Sequence, residues 1–223
     1  IIIRAGKLND EQVLFWENLY EKGLGEFFYK NSIDYRGLIF IEVDSSAHEI
    51  HLATRWLSDK AQCLVPIGGG KDSLVTGEML KEKGLDFSWF MLEPLPFVRK
   101  LVEISGNPKM MTVGRSVKKN FGSFKNLPGA YNGHVPITAT YIFSAVLAAQ
   151  TGGFKYVVFS TERSAEEGNL TYLGKEINHQ YSKTFEFEKA AHEYIKKYVA
   201  PDVYAFSLLS NLYEVQIMQK FVR

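Results

Sequence analysis

The chain is poor in several things at once. It has a single cysteine, Cys63, among 223 residues. That excludes an internal disulfide framework and fits a reducing, cytoplasmic compartment. Cys63 also falls in an apolar run, where a buried inert thiol is the commoner fate than a nucleophile. An excess of either charge is missing too: 26 basic residues stand against 25 acidic ones, for a formal net charge of +1. Bulk electrostatics therefore give no reason to expect nucleic acid or an anionic membrane as a partner. Long hydrophobic runs are absent. The most apolar stretch, Tyr141 to Ala149, is interrupted by Ser144 and falls far short of the ~20 residues a membrane helix needs. No secretory signal, repeat or low-complexity segment is visible. What remains is 46% hydrophobic and 14% aromatic, a globular composition with enough chain for one large or two small domains. The chain starts at Ile1 rather than Met and stops at Arg223 inside a helical pattern, so the expectation is a fragment of a longer protein.

Periodicity gives the organisation. Asp10 to Tyr29 carries Val13, Trp16, Leu19, Tyr20, Leu24 and Phe27–Phe28 at helical spacing, with Asn9 or Asp10 as N-cap and Gly23 and Gly25 as breaks. Gly37 to Asp44 reads as a strand, Asp44-Ser45-Ser46 as a turn, and His48 to Arg55 as the strand pairing back. His48 and His51 then point to opposite faces, as ordinary strand residues rather than metal ligands. From Gln62 the rhythm becomes strand, helix, strand. Strands are expected at Cys63–Val65, Phe87–Glu93, Lys109–Val113 and Lys155–Ser160. Helices are expected at Leu74–Lys83, Phe97–Ile104, Thr138 (as cap) to Ala149, Phe185–Val199 and Val203–Phe221. Such alternation implies an α/β fold: a doubly wound, mostly parallel sheet, with ligands at the carboxyl ends of its strands. The division expected is an N-terminal helix plus β-hairpin region, residues 1–59, and a catalytic α/β domain, residues 60–223. Between Gly114 and Asn132 the chain is polar and basic, with Arg115, Lys118, Lys119 and Lys125; it reads as solvated loop, with a phosphate-guiding lid as the alternative.

The densest signal is Pro66-Ile67-Gly68-Gly69-Gly70-Lys71-Asp72-Ser73. A strand that turns through three glycines into a helix N-terminus makes an anion site, because glycine lets backbone N–H groups approach a ligand and the helix dipole favours negative charge. Lys71 adds a full positive charge and Ser73 a hydroxyl. Asp72 offers an N-cap or a carboxylate for a metal ion. The spacing excludes a Walker A loop: Val65 stands where its first glycine belongs, and Asp72 follows Lys71. The dinucleotide fingerprint fails as well. The stretch resembles the Ser-Gly-Gly-x-Asp-Ser loop of the PP-loop ATP pyrophosphatases, with Gly68 in place of the first Ser; in that superfamily the loop holds the pyrophosphate part of ATP.

Three polar clusters fall where loops should meet the ligand. Tyr131-Asn132-Gly133-His134 precedes the buried helix, with His134 able to bond phosphate or act as a base. Thr161-Glu162-Arg163-Ser164 follows the Lys155–Ser160 strand. Asn178-His179-Gln180-Tyr181-Ser182-Lys183 precedes the aromatic-faced helix. For any one of these residues a structural hydrogen bond is the commoner role; three clusters at sheet ends together point to an active site.

Taken in order, GGGKDS, NGHVPITA, TERSAEEGN and NHQYSK resemble the ATP-dependent UDP-N-acetylmuramoyl-L-alanyl-L-glutamate epimerases of bacterial cell-wall synthesis, over roughly Pro66 to Glu188. Thr161 stands where an Asn-like residue is expected. The resemblance implies inversion of the terminal L-glutamate of a UDP-sugar peptide to D-glutamate, with ATP and Mg²⁺, on a small-molecule substrate without nucleic acid or membrane. Under it, Gly68, Gly69, Gly70, Lys71, Asp72 and Ser73 form the ATP cradle, with Asp72 toward the metal. Arg163 stabilises anionic charge, and Glu162 is a metal ligand or base. His134 and His179 carry protons, since imidazole titrates near working pH. Lys183 and Tyr181 are reserves for that task, and Asn132, Asn178 and Tyr181 contact the substrate. Racemisation by two opposed thiols is excluded, because Cys63 stands alone. The competing readings are another adenylating PP-loop enzyme (an amide ligase or tRNA-thiolating enzyme) and a non-catalytic ATP-binding domain.

Overall fold

A computed structural model describes residues 1–4, 6–43, 48, 62–93, 95–116 and 127–222. The chain divides into two compact units. The first joins residues 1–53, 116–137 and 166–182, and the second residues 54–115, 138–165 and 183–223.

The first unit contains β1 (Ile2–Ile3), α1 (Asp10–Gly23), α2 (Gly25–Lys30) and β2 (Glu42–Val43). The expected break comes at Leu24, between the two glycines. Asn9 opens α1 with a capping box, its side chain accepting from Gln12 N–H while the Gln12 side chain returns to Asn9 N–H. The strand expected over Gly37–Asp44 shrinks to Glu42–Val43, parallel to Ile2–Ile3. The reason is local: the N–H groups of Phe40 and Ile41 donate to the Glu17 carboxylate, at 3.0 and 2.7 Å, instead of to a strand. The second arm of the expected hairpin, the boundary near residue 59 and His51 lie outside the described residues. Phe28 stacks on Tyr35 at 5.1 Å and on Phe40 at 5.9 Å, giving this small unit an aromatic core.

The second unit is built on a five-stranded parallel sheet. Its strands are β3 (Cys63–Pro66), β4 (Phe87–Leu92), β5 (Met110–Val113) and β6 (Tyr156–Phe159), with β9 (Tyr204–Ser207) at one edge; β7 (Leu170–Tyr172) and β8 (Lys175–Ile177) form an antiparallel hairpin in the first unit. The order in space is β5-β4-β3-β6-β9, every pair parallel. This is the expected sheet. Strands covered on both faces need continuous apolar runs, which Cys63-Leu64-Val65, Trp89-Phe90-Met91 and Val157-Val158-Phe159 supply, all buried. Burial also pushes the Cys63 thiol up, keeping it protonated and inert.

The helices of this unit are α3 (Lys71–Glu82), α4 (Pro96–Ile104), α5 (Ile137–Gly152, which begins at the edge of the first unit), α6 (Phe185–Tyr198) and α7 (Glu214–Phe221). On α3, Gly77 makes room for the fully buried Trp89: a Cβ there would lie 2.3 Å from the indole Cη2. Two expectations need correction. α5 starts at Ile137, so Thr138 lies inside its first turn rather than capping it. α6 begins at Phe185 as expected, capped by Thr184, whose hydroxyl accepts from Phe187 N–H. The single helix expected over Val203–Phe221 is a strand followed by a short helix. Tyr204 to Ser207 alternates exposed and buried, the period-two pattern of an edge strand, and pairs with β6. Among the described residues no helix is long and apolar enough to cross a membrane.

Candidate functional site

The order in which strands are added reverses between β3 and β6, with every strand still parallel. β4 and β5 are added on one side of β3, while β6 and β9 extend the other. The loops leaving the carboxyl ends of these two neighbours therefore flank a topological switch point, the usual ligand position in open α/β sheets. The loop after β3 is Gly68-Gly69-Gly70; the loop after β6 is Ser160-Thr161-Glu162. Thr76 of α3 and Ser160 share a hydrogen bond at 2.8 Å, tying the two sides together.

Gly70, in an extended conformation, is the N-cap of α3 and offers no side-chain cap. Asp72, expected as an N-cap, sits instead in the first turn. The leading N–H groups of the helix are thus left for a ligand. Gly69 adopts φ +93°, a left-handed conformation that disfavours any other residue, whereas a Cβ at Gly68 or Gly70 would meet no atom within 4 Å. The loop therefore faces open space at both glycines. Ser73, nearly buried, donates its hydroxyl to Gly70 C=O at 2.9 Å and holds the loop closed. Lys71 Nζ lies 3.0 Å from Glu214 and 3.1 Å from Asp72; the hydrogen bond to Glu214, then that to Asp72, raises its pKa and keeps it charged.

In the loop after β6, Glu162 accepts from Ser164 N–H at 2.8 Å, which fixes one carboxylate oxygen on a 3₁₀ turn over Arg163–Glu166. The Arg163 side chain lies over the Tyr213 ring at 5.2 Å, and the Arg163 backbone N–H donates to Leu212 C=O at 2.9 Å. Glu188 of α6 binds the loop from behind: it accepts from Ser207 N–H at 2.9 Å and from the Thr161 hydroxyl at 3.5 Å. Lys183 is exposed, one residue before the cap of α6.

The remaining expected residues fall in the first unit. His134 and His179, distant in sequence, bring their rings to 5.7 Å with planes at 87°. That is edge contact and leaves no room for a carbon between them, so the pair forms one unit. His179 Nδ1 is buried with no hydrogen-bond partner, while its Nε2 lies 3.3 Å from Gln180 Nε2. Asn132 exchanges hydrogen bonds with Asn31, and the Asn178 side chain accepts from Gln180 N–H; both hold loop shape. Tyr181 is buried with Lys22 Nζ over its ring at 5.3 Å. Of the basic residues between Gly114 and Asn132, Arg115 pairs with Glu93 at 2.9 Å, and Lys118, Lys119 and Lys125 lie outside the described residues.

Residues 1–208 match the family described as the MurL N-terminal domain. The chain belongs to that family. A Xanthomonas oryzae pv. oryzae protein named UDP-N-acetyl-alpha-D-muramoyl-L-alanyl-L-glutamate epimerase is 36% identical over 223 residues, covering 100% of this chain and 48% of its own. A Salinispora tropica protein of the same name is 35% identical over 222 residues, with 100% and 48% covered. The chain spans about half the length of the curated relatives it matches. Two solved structures are similar in shape. One, described as a predicted subunit of a tRNA methyltransferase from Methanocaldococcus jannaschii, has a TM-score of 0.45 and 13% identity, covering 72% of this chain and 74% of that one. The tRNA thiolase NcsA from Methanococcus maripaludis has a TM-score of 0.43 and 14% identity, covering 74% and 56%.

In this MurL N-terminal domain the donors at the switch point suit a polyphosphate: the leading helix N–H groups, two open glycines and a charged lysine. They also suit Mg²⁺ at one point. Asp72 Oδ1 is buried, with the Lys71 ammonium 3.1 Å away as its ion-pair partner. Among the described residues no group of three His, Cys, Asp or Glu could hold a metal ion. A Mg²⁺ here would take Asp72 together with phosphate oxygens and water, its usual mode beside nucleotides. Periodicity gave no hint of Glu188 or Glu214, because each reads as an ordinary helix-surface acid.

Proposed function

We propose that this chain is the nucleotide-activating and proton-transferring part of an ATP- and Mg²⁺-dependent epimerase. It inverts the terminal L-glutamate of UDP-N-acetylmuramoyl-L-alanyl-L-glutamate to D-glutamate, in cytoplasmic peptidoglycan precursor synthesis. The observation that carries the reading is the open glycine loop with Lys71 at the β3/β6 switch point. It is supported by family membership and by the names of relatives that match along the whole of this chain.

The chemistry explains why a nucleotide is needed. A proton α to a carboxylate is very weakly acidic, because removing it makes a dianion. Joining that carboxylate to AMP, with release of pyrophosphate, removes the charge and lets the carbonyl oxygen take the C–H electron pair. A base then removes the proton, a donor returns one to the opposite face, and water releases AMP. Gly68 to Ser73 cradle the leaving pyrophosphate, and Lys71 and Arg163 offset the negative charge that develops. Asp72, with Glu162 as reserve, would hold Mg²⁺, which would supply charge neutralisation at the phosphates. The His134–His179 pair handles one proton. Because the rings touch, the second face of Cα needs another group, for which Lys183 and Tyr181 are candidates.

The test is incubation of the complete protein with ATP, Mg²⁺ and the L-glutamate-terminated precursor in D₂O. Deuterium at Cα, D-glutamate and AMP are expected. Lys71→Ala should lower pyrophosphate exchange roughly 100- to 1,000-fold, the usual loss for one preorganised charge-stabilising group. AMP formed without deuterium at Cα would point instead to a different adenylating enzyme, and deuterium incorporated without ATP would overturn the activation step.

A further inference from the structure

We propose that Glu26 is the positioning residue of the His134–His179 pair; the proposal rests on the epimerase reading above. Glu26 lies in the first turn of α2, between two residues that touch the histidine-bearing loops. On one side is Gly25, packed so closely on Ile177 that an added Cβ would lie 2.8 Å from its Cγ2. Ile177 ends β8, two residues before His179. On the other side is Phe27, whose Cα would lie 2.7 Å from a Cβ added at Gly133, the residue before His134. The start of α2 is thus wedged between the two loops, and the side chain between those contacts is a carboxylate.

That carboxylate is only 15% exposed and pairs with Lys30 one turn along. Lys30 first, then the charges of His179 and His134, hold its pKa below the usual carboxylate value. Both imidazoles are therefore within electrostatic reach of one fixed anion, together with the Lys30 ammonium. The proton step needs such an anion. When an imidazole takes the Cα proton, the C–H electrons move to the acyl oxygen and the ring gains a positive charge that must be offset nearby. Glu26 supplies the offset without touching the substrate. The loop contacts through Gly25 and Phe27 fix where both rings stand. His179 Nδ1 is buried and makes no hydrogen bond, so no protein acceptor or donor fixes that ring in place of the carboxylate.

The test compares two readouts in the complete enzyme: ATP–pyrophosphate exchange, which reports activation, and deuterium incorporation at Cα in D₂O, which reports proton transfer. Glu26→Gln should lower deuterium incorporation roughly 100-fold, the low end of what a proton-handling arrangement contributes, and leave pyrophosphate exchange near wild type. Glu26→Asp should recover part of the loss. In a His179→Ala background, Glu26→Gln should add nothing further, because the two residues act as one unit. Should Glu26→Gln fail to fold, Glu26→Asp carries the test alone, through the same selective fall in deuterium incorporation. Unchanged incorporation, an equal fall in both readouts, or losses that add to those of His179→Ala would overturn the proposal. A wild-type enzyme inert in both assays overturns the epimerase reading itself, and the role of Glu26 with it.

Discussion

The two units hold their polar residues in place by different means. In the second, the glycine loop and the Ser160–Glu162 loop are extensions of two adjacent strands buried on both faces, so the sheet itself sets where they end. In the first, His134 and His179 ride on loops whose positions depend on glycine contacts with α2 and on stacked aromatics. Regular secondary structure positions one set; close packing of irregular backbone positions the other. The same kind of mutation should therefore do different damage in the two places.

Gly77→Val tests the first half of that contrast. Its side chain would collide with the buried Trp89, and unfolding by urea should show a loss of about 3 kcal/mol, the upper end of ordinary overpacking. Gly133→Ala tests the second. The added methyl meets the backbone of Phe27, so the loop must shift, yet little buried apolar surface depends on it. Stability should change by under about 1 kcal/mol. Deuterium exchange at Cα should fall roughly 100-fold, as expected for a proton-transfer group displaced by about an ångström. If Gly133→Ala unfolds the protein as readily as Gly77→Val, the contrast fails.

The smallest expected effect belongs to the first unit and depends on pH. Hydrogen bonds from the Arg36 side chain and then its N–H hold the Asp34 carboxyl down at about 2 instead of the usual 3.8. A depressed carboxyl stabilises the fold above its unfolded value and loses that contribution as pH falls through its folded one. The stability difference between wild type and Asp34→Asn should therefore be constant at neutral pH and shrink between about pH 4 and pH 2. A difference that does not move across that window would show the pair to be irrelevant to the first unit.

The same contrast decides what could be read beforehand. Core strands announce themselves, because burial on both faces demands unbroken apolar runs; Cys63–Pro66, Phe87–Leu92 and Tyr156–Phe159 differ from expectation by a residue or so. The glycine loop was legible for the same reason, as punctuation between a strand and a helix. Edge strand β9 was not, because Val203, Ala205, Leu208, Leu209, Leu212, Ile217 and Phe221 also suit a helix, and only pairing with β6 selects the strand. The β7–β8 hairpin escaped notice too: its Leu173-Gly174 turn has φ of 50° and 81°, a hairpin geometry that a leucine does not advertise. His134 and His179 could be named from their surroundings. Their contact could not, because it is set by long-range packing of α2 between two loops.

Lys71 and Arg163 do not wait in water as bare cations. Glu214 already neutralises the first, and Tyr213 shields one face of the second. On the proposed reading, an anion reaches Lys71 by exchange, one ion pair for another, a trade that favours multiply charged ligands over chloride or a lone carboxylate. The displaced carboxylate is not stranded either: Glu214 is the opening residue of α7, where the exposed N–H groups of a helix welcome negative charge.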